Sequence, residues 1–226
     1  MSITKINLNY IILILLSGYA FGVNWFSANI GVMPIDTFAF LDTAIGITEG
    51  KLPIRDFWIF TGIVVDYLQA LFFLVFGKSW SSYVLHGCFI NILASLSFYI
   101  FLIRLNLSKP YSFFYSLSFA TLCYPVSGTP FAYLHAYVFS LISIFLLCIA
   151  IKEKIKSPWF FLPIACSLAF FSMQTPTLYV VLIILFFSFY FLIFKKNYKY
   201  LKNFIYGSLV SLLLFFSFLY ISDTPF

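Results

Sequence analysis

The sequence predicts an all-α membrane protein: about seven transmembrane helices plus one helix along the interface, in a single multi-pass domain covering residues 1–226. Three observations carry this. Hydrophobic residues make up 63% of the 226 residues and charged residues 9%, against about 45–50% and about 25% in ordinary globular chains. A soluble fold of this size needs more polar surface than that to cover itself. The mean hydropathy of +1.04 agrees. Finally, the apolar residues fall into runs of helix-spanning length, separated by short polar breaks. The same figures exclude a disordered chain, a disulfide scaffold and a nucleic-acid binder. The net charge of +6 reads as a record of membrane topology.

The runs cover about 9–29, 59–76, 82–104, 110–124, 137–151, 159–173, 177–194 and 204–221. The first follows Lys5, is long for a signal peptide and lacks a small-residue cleavage site, so it reads as a retained anchor. The only long break, 30–58, is the first loop between spans and holds Asp36, Asp42, Glu49 and Asp56 with Lys51 and Arg55. The run 59–76 is short and carries Asp66, with Thr61, Gly62 and Gln69 nearby. A carboxylate at the bilayer centre costs several kcal/mol, so this run is expected to lie along the outer interface as a juxtamembrane helix. The break 104–109 is basic, 125–136 is uncharged and rich in turn formers, 151–158 carries three lysines, 174–177 is a bare polar turn and 195–203 carries four lysines. The four cysteines sit inside apolar runs without metal-ligand spacing and read as small buried hydrophobes. Trp58, Trp80 and Trp159 near run ends fit an interfacial aromatic belt.

With 59–76 kept out of the membrane, ten cations fall on the cytoplasmic side and three (Lys51, Arg55, Lys78) on the other, where six of the seven carboxylates also lie. If 59–76 crosses, the counts are 11 and 2, so the positive-inside rule alone does not separate the two topologies. The acids favour the first, which gathers loop 30–58, loop 125–136 with His135, the turn Gln174–Thr177 and Asp223 on one face. Loops that carry function sit on rigid scaffolds in this way.

The stretch Pro34-Ile-Asp36-Thr, then 11 residues of helical character, then Glu49-Gly-Lys-Leu-Pro-Ile-Arg-Asp-Phe-Trp58 and an apolar helix ending Phe76-Gly77 resembles the start of the GT-C superfamily of polyprenyl-phosphate-sugar glycosyltransferases. The likeness is to the protein-mannosyltransferase and aminoarabinose-transferase relatives, glycosyltransferase family 39. It covers most of the chain in layout and is specific over about 34–77. It implies one span, an outer loop bearing a catalytic acid and a juxtamembrane helix, and so supports the seven-span topology.

By that resemblance Asp36 is the base that deprotonates an acceptor hydroxyl or amine as it attacks the sugar's anomeric carbon, and polyprenyl phosphate leaves. A positioned carboxylate contributes typically about 10²–10⁴-fold to such a step. The leaving phosphate needs a cation, and the planar fork of Arg55 suits it. The chain departs from the family where the second acid of the pair is Thr37, leaving Asp42 as an alternative acid, and where Thr61 and Met173-Gln174 stand at positions that carry phosphate-binding cations in some relatives. His135 and His86 are candidates for part of that role, and Asp56 and Asp66 for substrate contacts. Each has a plainer alternative: a helix N-cap for Asp36, a local turn for Arg55–Asp56, a polar helix face for Asp66, packing for the histidines. No soluble cofactor is expected. A divalent metal serves some GT-C branches, but no ligand cluster stands out, so no metal residue is named.

The expected partners are a polyprenyl-phosphate sugar, an acceptor lipid, glycan or protein, and the bilayer. The expected location is the plasma or inner membrane, with the N-terminus cytoplasmic. Two rival readings stand: a transporter or flippase without transferase chemistry, and an inactive N-terminal module of a longer transferase, the ending Tyr220–Phe226 reading as an interrupted loop.

Overall fold

The computed structural model describes residues 8–32, 34–59 and 61–221. The chain is an all-helical, multi-pass membrane protein. Its helices are α1 (Leu8–Ala28), α2 (Pro34–Thr48), α3 (Val64–Phe76), α4 (Trp80–Arg104), α5 (Lys109–Leu122), α6 (Ala132–Glu153), α7 (Ser157–Ser172), α8 (Gln174–Phe189, continued by a π turn Tyr190–Phe194) and α9 (Leu201–Ile221), the last preceded by a 3-10 turn at Tyr198–Tyr200. Among the described residues, five segments are long and apolar enough to cross a membrane: Asn9–Ala28, Trp80–Arg104, Ala132–Glu153, Gln174–Phe194 and Tyr198–Ser217. Helices α5 and α7, at 14 and 16 residues, rise only about 21 and 24 Å against a hydrocarbon core of about 30 Å.

Contacts between helix ends sort the bundle into two ends. At one, Trp80 Nε1 donates to Asn29 Oδ1 (3.1 Å), Asn24 Nδ2 to the Gly128 carbonyl (2.8 Å) and the Gly62 amide to the Ser172 carbonyl (3.1 Å). This end gathers the α1 C-terminus, α2, α3, the start of α4, loop 123–131, the start of α6 and the α7–α8 turn. At the other end Arg104 pairs with Glu153 (2.8 Å) and the Tyr200 hydroxyl donates to the Lys154 carbonyl. The acidic end holds Asp42, Glu49, Asp56 and Asp66. The basic end holds Arg104 and eight lysines, from Lys109 to Lys202.

Helix α1 packs on α4 and α5. Helix α4 also meets α6 and α3, α6 meets α7 and α8, and α7 meets α9. The Asn91 side chain stitches three of these helices, donating to Ala20 of α1 (3.0 Å) and Ala120 of α5 (2.9 Å). Ala120 lies in the last turn of α5, whose carbonyls have no intrahelical donor. Two glycines allow close approach: a Cβ at Gly62 would stand 1.8 Å from the Phe171 carbonyl oxygen, and one at Gly207 would stand 2.0 Å from that of Phe160. The α6–α9 half is filled by Trp159, Leu162, Leu147, Ile184, Leu192 and Tyr200. Trp159 is fully buried there, stacked on Phe191 at 5.5 Å. It does not join an interfacial belt, because the basic-end turns of α8 and α9 close over it. Trp58 is exposed. All four cysteines are free.

The break 30–58 contains a two-part structure. Its helix α2 stops in a Schellman cap, where Gly50 takes φ 85 and the Gly50 and Lys51 amides return to the Ile47 (3.0 Å) and Gly46 (3.1 Å) carbonyls. Within 59–76 the helix begins only at Val64; 61–63 is held instead against the end of α7. Helix α3 ends on Gly77 at φ 84, and Ser79 caps α4 by accepting from the Ser82 amide (3.1 Å). Lys78 pairs with Glu49 at 3.2 Å, joining the two ends of the α2–α3 hairpin.

Candidate functional site

The acidic end carries the polar features, in three groups. The first is the turn 52–57. Asp56 organises it: its Oδ2 accepts the Leu52 amide (2.8 Å), its own amide donates to the Leu52 carbonyl (2.9 Å), and Ile54 takes φ 74. Arg55 forks onto the same carboxylate, Nε to Oδ1 at 2.9 Å and an Nη to Oδ2 at 2.7 Å. The hydrogen bonds from Arg55 and Leu52 hold the Asp56 carboxyl down at about 2. The pair is solvent-facing, so its net stabilisation is small.

The second group is a pair of neighbouring cavities. One, of about 420 Å³, lies under this turn and is lined by Ile54, Trp58, Thr61, Gly62, Gln174 and Phe215 among others. The other, about 640 Å³, runs between α7, α8 and α9 and is almost wholly apolar, with Pro163, Leu178, Val181 and Phe204 in its walls. Phe171 and Phe215 line both, so the apolar groove and the chamber with polar edges lie side by side. Thr61 and Gln174, far apart in sequence, both line that chamber.

The third group is a buried polar chain across α2, α3, α4 and α6. Thr43 donates to Asp66 Oδ1. One turn on, Gln69 Oε1 is 3.0 Å from His86 Nδ1. His86 Nε2 is 3.0 Å from His135 Nε2. His135 Nδ1 lies 2.9 Å from the Phe131 carbonyl and 3.1 Å from the Tyr124 hydroxyl. His86, His135, Gln69 and Tyr124 are all at 0% exposure and Asp66 at 2%. Phe72 stacks on His86 at 5.0 Å and completes the dry wall. Burial pushes the Asp66 carboxyl up to about 6, moderated by the Thr43 hydrogen bond.

Of the residues singled out in the sequence, Asp36 stands in the first turn of α2 but its side chain lies outside the described residues, as does Asp223. Its neighbour Thr37 is placed: the Tyr83 hydroxyl donates to the Thr37 carbonyl (2.6 Å) and lies 3.4 Å from the Pro130 carbonyl. The start of α2 therefore sits against loop 125–131. Asp42 is exposed on α2. Arg55 and Asp56 hold each other beside the 420 Å³ chamber. Asp66 faces inward onto Thr43, and His86 and His135 face each other away from either cavity. Gln69, Thr43 and Tyr124 were not singled out. The signal for Gln69 was present in the spacing Asp66-x-x-Gln69, which puts two polar groups on one face of an apolar helix. Among the described residues no group of three or more metal-ligating side chains comes together.

Known proteins add no relative: no family model, no curated protein and no solved structure matches the chain. The helices and their apolar surfaces define the class, a multi-pass membrane protein.

Proposed function

We propose that this chain is a GT-C-like membrane glycosyltransferase that moves a sugar from a polyprenyl-phosphate donor to a lipid, glycan or protein acceptor on the non-cytoplasmic face. The observation that carries the reading is the pair of adjoining cavities. An apolar groove between α7, α8 and α9 suits a prenyl tail, and it shares the Phe171 and Phe215 wall with a chamber edged by Thr61 and Gln174, beside the turn that bears Arg55. A lipid phosphate has its charge at the end of a long apolar tail, and that is the order of surfaces here.

In this reading α1, α4, α5, α6, α7, α8 and α9 are seven crossings, α3 is the interfacial helix, and the N-terminus and the basic end face the cytoplasm. The bilayer thins or the flanking side chains snorkel around the short α5 and α7. The membrane is the plasma or inner membrane. Asp36 takes the acceptor's proton, the acceptor oxygen or nitrogen bonds the anomeric carbon, and the bond from that carbon to the phosphate oxygen breaks, releasing polyprenyl phosphate. Asp42 is the alternative base. Arg55 neutralises charge on the departing phosphate, helped by the dipoles of Thr61 and Gln174.

The test is transfer from a radiolabelled polyprenyl-phosphate sugar by purified protein in nanodiscs. Loss of transfer in Asp36→Asn with retained donor binding supports the assignment; full activity rejects Asp36 as the base. A second reading, a transporter or flippase, is favoured by the buried Asp66–Gln69 and His86–His135 groups, since ionisable groups inside a bundle mark ion paths. It predicts pH-driven uptake into proteoliposomes without sugar transfer.

A further inference from the structure

Two groups stand at His135 Nδ1: the Phe131 carbonyl at 2.9 Å, which can only accept, and the Tyr124 hydroxyl at 3.1 Å. The nearer, the carbonyl, calls for a hydrogen on that nitrogen. A neutral His135 then has a bare Nε2, and the facing His86 Nε2 at 3.0 Å must be the donor. A neutral His86 is left with a bare Nδ1, which calls for a donor from Gln69. The structure instead presents Gln69 Oε1 to that nitrogen at 3.0 Å, while Gln69 Nε2 is buried with no partner among the described residues. Oxygen and nitrogen of an amide have nearly the same shape, so a half-turn of Gln69 interchanges them.

We propose that His86, His135 and Gln69 form a buried one-proton switch. In the neutral state Gln69 turns its NH₂ to His86 Nδ1. When one proton arrives it binds His86 Nδ1, Gln69 turns its carbonyl to accept it, and His86 donates from both ring nitrogens. His135 takes no proton, because its Nδ1 is already committed to Phe131 and its Nε2 to His86.

The surroundings favour a single charge at this place. Tyr83 and Cys88 on α4 and Cys123 and Tyr124 after α5 are neutral below pH 7 by their ordinary chemistry. Asp42 on α2 is exposed, and α6 presents no other ionisable group inward. The one described carboxylate facing in is Asp66, a turn before Gln69 on the same helix. The amide turn changes what α3 offers to α4, so proton uptake at His86 is sensed by the α2–α3 hairpin at the acidic end. The switch does not depend on the transferase reading.

The experiment is ¹⁵N NMR of histidine- and glutamine-labelled full-length protein in nanodiscs, titrated from pH 8 downward, since imidazole ¹⁵N shifts distinguish bare from protonated nitrogens. The expected result at high pH is hydrogen on His135 Nδ1 and His86 Nε2. On acidification one proton per chain is taken up, at His86, and the Gln69 side-chain amide shifts with the same midpoint. Protonation of His135 first, uptake of two protons together, or a Gln69 signal indifferent to the step overturns the proposal. Gln69→Glu, which can only accept, moves the midpoint up by roughly 1–3 pH units, as an opposite charge at this range does. An unmoved midpoint also overturns it. If that variant does not fold, the titration of the unaltered chain decides.

Discussion

Replacing Asp66 by Asn tests the buried carboxylate directly. Asn keeps the shape and an oxygen to accept from Thr43, but it removes the charge. Asp66 is 2% exposed and its carboxyl is raised to about 6 from an ordinary 3.8, chiefly by desolvation. A folded-state pKa above the unfolded one means that the folded chain binds the proton more tightly. Folding stability is therefore highest below pH 3.8, falls as the pH rises through the window 3.8–6, and stays reduced above it. A shift of about two units corresponds to about 3 kcal/mol. The Asn variant lacks this penalty, so it is expected to exceed the parent by a few kcal/mol at pH 7 and to match it near pH 4. The assay is unfolding of both proteins in nanodiscs at pH 4, 5, 6 and 7, read as the difference between them at each pH. A constant difference, or a variant less stable at pH 7, would refute the reasoning. Such an outcome would mean that the charged form has a compensating partner in the folded chain.

Four further outcomes are expected. Asn91→Leu removes the donor shared by the Ala20 and Ala120 carbonyls and should cost about 1–2 kcal/mol in the same unfolding assay; a neutral effect would remove Asn91 as the stitch between α1, α4 and α5. Gly207→Ala drives a Cβ to 2.0 Å from the Phe160 carbonyl oxygen, where Gly18 has nothing within 4 Å. The first should destabilise by about 1–3 kcal/mol and Gly18→Ala should not, as melting temperatures will show. Ser208→Trp fills the groove between α7, α8 and α9 and should abolish polyprenyl-phosphate binding, measured by crosslinking to a photoreactive analogue, while the fold persists. Because the Asp56 carboxyl is held at about 2 by Arg55 and Leu52, the Arg55–Asp56 pair should persist unchanged from pH 8 down to about pH 4; a carboxyl ¹³C shift moving in that range would contradict it.

The helices were largely legible because each apolar run had to bury its backbone polar groups within itself. The runs 82–104 and 204–221 became α4 and α9 within a few residues at each end. Within the acid-bearing break 30–58, the stretch after Asp36 already read as helical, and 34–48 is helix, closed where Gly50 takes φ 85. Burial of Trp159 was not legible: a Trp near a span end has the same local sequence whether it meets headgroups or a neighbouring helix. The turn at Arg55–Asp56 was foreseeable from its residue types. The adjoining cavities were not, since their walls come from three helices and a distant turn.

What the sequence determined alone is the environment and the ordering of charge along the chain: a membrane protein whose cations mark one end of its helices and whose acids mark the other. These follow from composition and local spacing, because desolvation acts residue by residue. The tertiary structure decided which polar groups meet. His86 and His135 are the only two histidines in the chain and lie 49 residues apart, yet their ring nitrogens come within 3.0 Å. Thr61 and Gln174 likewise line one chamber only because the backbone at Gly62 packs against the end of α7. Such meetings depend on how helices cross, which is set by side-chain packing over the whole bundle.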